Sequence, residues 1–114
     1  MAKSKIPGPI ERRHLIERDL SAAQALRYAE AYLEEGRDQD AIEFLVKAGA
    51  EEQLEAMRRR SIEAGDAFLL RMVSAATGIA AGREQWKTLA EAAAAAGKER
   101  YAEEALRYAG RGED

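Results

Sequence analysis

Apolar residues return along this chain every three or four positions, and glycines cut the pattern into segments of similar length. Ala25, Tyr28, Ala29 and Tyr32 fall on one side of a helix, and Ala41, Leu45 and Ala48 on one side of the next. The same spacings come back in Trp86, Leu89, Ala90 and Ala93, followed by Ala102, Leu106 and Ala109. Gly36 and Gly49 stand thirteen residues apart, as do Gly65 and Gly78, and Gly97 and Gly110. A glycine at such a point enters the left-handed conformation that ends a helix without a Cβ penalty. The pattern predicts helices at about 21–35, 38–48, 51–64, 66–77, 83–96 and 98–109. They pair into three hairpins, 21–49, 50–82 and 83–110.

Local chemistry marks the helix starts. Ser21 with Gln24 has the form of a capping box, and Asp38, Asp66 and Glu84 put negative charge where the helix dipole favours it. The middle hairpin is less regular, with Leu54 and Met57, then Phe68, Leu69, Leu70, Met72 and Val73. Its second helix carries only Asp66 and Arg71 as charges, so it is expected at the centre of the stack, covered on most sides. Arg100, Glu103, Glu104, Arg107 and Arg111 form a charged stripe on the last helix, the polar outer face of a terminal repeat. The array is therefore expected to end there, followed by a tail at 111–114. Residues 9–20 are expected to form a short capping helix, with Ile10, Leu15, Ile16 and Leu20 covering the first hairpin. Residues 1–8 are expected to be a flexible tail.

Composition narrows the chemistry. Of 53 residues in the apolar class, 25 are alanine, so the core buries little area per side chain and depends on close helix approach. Few β-branched residues, and no proline after Pro9, favour helix. The absence of cysteine excludes disulfides, thiolate metal sites and thiol catalysis. A single histidine, His14, leaves little room for a metal site, and no metal or cofactor is expected. The formal charge of −3 argues against nucleic-acid binding, which needs a basic surface. No run of about 18 apolar residues offers a membrane span. The first residues lack the apolar stretch of a secretory signal, so the cytoplasm is the expected compartment.

These segments resemble tetratricopeptide (TPR) repeats, whose pattern is W-x2-L-G-x2-Y followed by A-x3-F and a further alanine. Trp86-x2-Leu89-Ala90-x2-Ala93 with Ala102-x3-Leu106 and Ala109 follows it. So does Ala25-x2-Tyr28-Ala29-x2-Tyr32 with Ala41-x3-Leu45 and Ala48. The middle hairpin departs: Arg58 stands where a small residue lets the helices approach, Leu70 replaces the inter-helix alanine, and no repeat ends in proline. The resemblance covers about residues 21–110. It implies an all-α fold of three stacked antiparallel hairpins, a TPR-like right-handed α-solenoid, whose first helices line a concave groove. Carried onto this chain, the groove positions include Leu26, Glu30, Leu33 and Glu34, then Glu55, Arg59, Ile62 and Glu63, then Lys87 and Glu91. With Ala23, Glu52, Glu84, Ala94 and Ala95 they hold seven acids and two bases. The expected ligand is a basic or amphipathic protein segment. The expected role is a non-enzymatic interaction module or adaptor; the alternative is a helical protomer that homo-oligomerises through its alanine-rich or middle helices.

Other candidates carry blander expectations. Arg58, Arg59 and Arg60 suggest a phosphate contact, but Glu55 and Glu63 sit at ion-pair spacing, so a solvated face is expected. The pairs Glu34–Glu35, Glu51–Glu52 and Glu103–Glu104 lie side by side on helices and point apart, unlike catalytic carboxylates. His14 has no neighbouring nucleophile, and Trp86, Tyr28 and Tyr32 have the spacing of core residues. The alanine run 92–96 is expected to pack within the fold, or else to line a shallow apolar groove.

Overall fold

The structure, a computed structural model, describes residues 6–110. Among them are seven α-helices and no strand. They are α1 (Pro9–Glu17), α2 (Ala22–Glu34), α3 (Asp38–Ala48), α4 (Glu51–Ala64), α5 (Ala67–Thr77), α6 (Arg83–Ala95) and α7 (Glu99–Gly110). Residues 1–5 of the expected tail, Arg111 and the 111–114 tail lie outside the described residues. None of these helices is long and apolar enough to cross a membrane. The chain divides into two units, residues 1–54 and 55–114, with the division inside α4.

In the first unit, Ser21 caps α2 as its sequence predicts: its Oγ accepts from Gln24 N–H, and Gln24 Oε1 accepts from Ser21 N–H, both at 3.1 Å. Helices α2 and α3 pack along one another. Ala25, Ala29, Ala31 and Tyr32 are buried on α2, with Ala41, Ile42, Phe44 and Leu45 on α3. The alanines let the two backbones approach, and Phe44 fills what remains, its ring 5.4 Å from Tyr28 and 5.8 Å from Tyr32. Burying one such aromatic contributes about 1.5–3 kcal/mol. Helix α1 forms where a capping helix was expected, and Leu15 is buried. Ile16 and Leu20 are half-buried, but Ile10 is 74 % exposed and covers nothing. The inward position on that turn belongs to Arg12, whose flat guanidinium lies over aromatic rings that a branched aliphatic group would cover less fully.

In the second unit, α5 starts on Asp66, whose Oδ1 accepts from Leu69 N–H at 3.0 Å. Ala67 and Leu70 of α5, Ala81 of the α5–α6 connection, Trp86, Leu89, Ala90 and Ala93 of α6, and Ala105 and Ala109 of α7 form one buried cluster. Gly65 is required at the α4–α5 turn. Its φ is +68°, and a Cβ there would lie 2.5 Å from the Cα and N of Ala93. The expectation for the alanine run is met in part: Ala93 packs inside the fold, whereas Ala94, Ala95 and Ala96 face solvent.

Three expectations need correction in this unit. Leu106 is 58 % exposed, and Ala105 takes the inward place with Ala109. Tyr108 stacks on Trp86 at 4.6 Å and Glu104 pairs with Arg71 at 3.1 Å, which turns the smallest side chains of α7 inward. Helix α5 is not covered on most sides: Leu69, Leu70 and Val73 are buried, but Phe68, Ala75 and Ala76 are exposed. Arg58 is no solvated side chain; it is 3 % exposed. Its Nη1 donates to Ser74 Oγ at 3.2 Å, and its Nη2 to Thr77 Oγ1 at 3.2 Å and the Ile79 carbonyl at 2.7 Å. The guanidinium thus sits at the C-terminus of α5, where orphan carbonyls and the negative end of the dipole favour a cation. Glu55 approaches it only at 3.9 Å from an exposed position. Arg59 and Arg60 are exposed.

Candidate functional site

The residues assigned to partner binding fall on three helices. On α2, Leu26, Glu30, Leu33 and Glu34 share a strip beside the buried one; the leucines are half-buried and the glutamates exposed. On α4, Glu55, Arg59 and Glu63 are exposed. Ile62 is half-buried and packs against the cluster of the second unit, so part of its surface is already used. On α6, Lys87 and Glu91 are exposed, and Lys87 pairs with Glu84 at 3.8 Å. Helical spacing gives each helix an outward acidic edge next to half-buried or core apolar side chains. Such an edge attracts cations over about 10 Å at 0.1 M salt.

A second constellation, in the first unit, escaped the sequence reading. Arg12 of α1 reaches the α2–α3 hairpin, its guanidinium carbon 5.6 Å from the ring centres of both Tyr32 and Phe44. Its Nη2 donates to the Asp40 carbonyl at 2.9 Å and lies 4.0 Å from Glu43 Oε1. Arg37 stands over Tyr32 at 5.2 Å, held by Asp40 Oδ2 at 2.8 Å from both its Nε and its Nη2. Between them the Tyr32 hydroxyl is buried with the Arg12 side chain as its polar neighbour, and Arg12 Nε has no hydrogen-bond partner. Burial pushes the Tyr32 pKa up, opposed by the charge of Arg12 and by a side-chain hydrogen bond with it. No signal in the sequence marked it: Arg12 reads there as one more surface charge, and its inward turn depends on rings contributed by α2 and α3.

His14 is exposed on α1. Trp86 and Tyr32 are buried and Tyr28 half-buried, in line with their spacing as core residues. Among the described residues no three His, Asp or Glu side chains gather as metal ligands would. The chain matches no family model, no curated protein and no solved structure.

Proposed function

We propose that this chain is a non-enzymatic protein-interaction module built of TPR-like helical hairpins, and that it binds a basic or amphipathic protein segment on the acidic edges of the first helix of each hairpin. The observation that carries this reading is the repeated placement of outward glutamates beside apolar side chains: Glu30 and Glu34 with Leu26 and Leu33, and Glu55 and Glu63 with Ile62. Apolar groups supply contact area, while the carboxylates steer and orient a cationic ligand. The test is binding of a labelled Lys- and Leu-rich amphipathic helical peptide to the full chain at low and high salt. Glu30→Lys with Glu34→Lys is expected to weaken binding by about 3–10-fold at low salt, two exposed ion pairs each contributing up to about 1 kcal/mol. Affinity indifferent to salt and to both reversals overturns the reading.

The alternative, a protomer that homo-oligomerises, rests on Phe68, Ile79 and Leu106, large apolar side chains left exposed in the second unit. Sedimentation of the purified chain decides for it if a dimer persists without any partner.

A further inference from the structure

The surface beneath α1 has the parts of a docking site. Two aromatic rings, Tyr32 and Phe44, lie under one guanidinium, a backbone carbonyl accepts from it, and a carboxylate stands nearby. What fills this site is a nine-residue helix attached by side chains: Arg12, Leu15, and Lys47 Nζ donating to the Arg18 carbonyl at 3.1 Å. Helices below about 12–15 residues do not hold themselves together in water, so α1 is helical because it is docked. Its N-cap, Gly8, offers no side-chain cap. The fit is also incomplete, since Arg12 Nε is buried without a hydrogen-bond partner. A resident that leaves a donor unpaired is open to replacement by one that pairs its own.

We propose that α1 is a resident pseudo-ligand: the α2–α3 hairpin carries a docking site for a short helix with an arginine and, three residues on, a leucine, and a partner segment of that kind displaces α1. The evident chemistry of the occupant comes from α1 itself. Arginine is required because only a planar cation can lie on both rings while donating to the Asp40 carbonyl; lysine offers a point charge without the plane. Leucine follows because positions i and i+3 share a helix face. Because α1 is tethered, it competes at an effective concentration in about the millimolar range, and the site stays closed to weak ligands. This inference rests on residues other than the acidic edges, so either reading fails without the other.

The test uses the full chain and a capped, labelled peptide of residues 9–18, read by fluorescence anisotropy and by amide shifts of Tyr32, Asp40 and Phe44. Arg12→Ala with Leu15→Ala empties the site without touching its walls. The peptide is expected to bind that variant at least tenfold more tightly than the wild type, and a peptide carrying the same two alanines is expected to bind neither. Equal affinity for both chains, no binding to the emptied chain, or binding of the alanine peptide overturns the proposal. So does a concentration-dependent dimer in which one copy's α1 occupies the other copy's site, because the occupant is then a second copy. Should the double variant fail to fold, hydrogen exchange on the wild type decides. Amides of α1 are expected to exchange at least tenfold faster than those of α3; exchange of α1 only at the rate of α3 overturns the inference.

Discussion

Arg58 and Arg12, in different units, are both drawn inward, and they are satisfied to very different degrees. Arg58 has three acceptors on the end of α5, and both hydroxyls among them are themselves anchored: Ser74 Oγ donates to the Leu70 carbonyl and Thr77 Oγ1 to the Val73 carbonyl, each at 2.8 Å. Arg12 has two aromatic faces, one carbonyl and a distant carboxylate, and leaves Nε without a hydrogen-bond partner. A buried charge held by three acceptors fixes a structure, because removing it strands them. One held by a single carbonyl marks an attachment that can be undone. The second unit uses its arginine as a tie between α4 and the end of α5; the first uses its arginine as a latch.

The comparison breaks most visibly if the frame that aims Arg58 is deformed. Gly65→Ala places a Cβ against the Ala93 backbone and also forces a left-handed φ on an L-residue. Overpacking costs about 1–3 kcal/mol and the conformation about 1–2, so a loss of about 3 kcal/mol is expected by urea denaturation. Gly36→Ala, with a similar φ and open space, should lose only about 1 kcal/mol, since it carries the conformational part alone. Equal losses at the two glycines would show that the approach of Ala93 is unimportant. Next in size is Arg58→Met, which keeps the buried stem but strands the Ile79 carbonyl; a loss of about 2–3 kcal/mol is expected from the same measurement. If Arg58→Met is neutral, the tie is no tie.

The helix ends were legible because they depend on single residues: five of the six paired glycines have positive φ, while Gly110 is the helical last residue of α7. Rotation of a helix about its axis is decided by neighbours, and there the sequence could mislead. Ala102, Leu106 and Ala109 look like an inward face of α7 until the Trp86–Tyr108 stack and the Arg71–Glu104 pair are known. Two legible signals conflicted at Arg58. Repeat register put it between the helices, and charge spacing put it in water; register prevailed, because the open end of α5 supplies what a buried guanidinium needs. Nothing in residues 9–20 announces that Arg12 replaces Ile10 as the inward group, since that depends on rings contributed by α2 and α3.

At the latch, smaller effects are expected. Arg12→Ala removes a carbonyl bond and two ring contacts but leaves no charge stranded, so global stability should fall by no more than about 1.5 kcal/mol. The change should be local: faster amide exchange in α1, with α5 and α7 unaffected. A loss as large as that of Arg58→Met would erase the distinction between tie and latch.

Tyr32→Phe is the smallest change and the sharpest. The hydroxyl it deletes is buried beside the Arg12 side chain, so at neutral pH the variant is expected to stay within about 1 kcal/mol of the wild type. The sign with pH follows from the raised pKa, which burial dominates. The folded chain holds the phenol proton more tightly than the unfolded chain, whose tyrosine titrates at its ordinary 10.0. Stability from this group is therefore fully present below pH 10 and is lost as pH rises above it, because the unfolded state then binds fewer protons. Denaturation midpoints of wild type and Tyr32→Phe measured from neutral pH upward should diverge above pH 10, with the wild type falling faster. Parallel curves would mean that the phenol can ionise in place, with the flanking arginines able to neutralise it, and the site beneath α1 would then be wetter and better satisfied than its geometry implies.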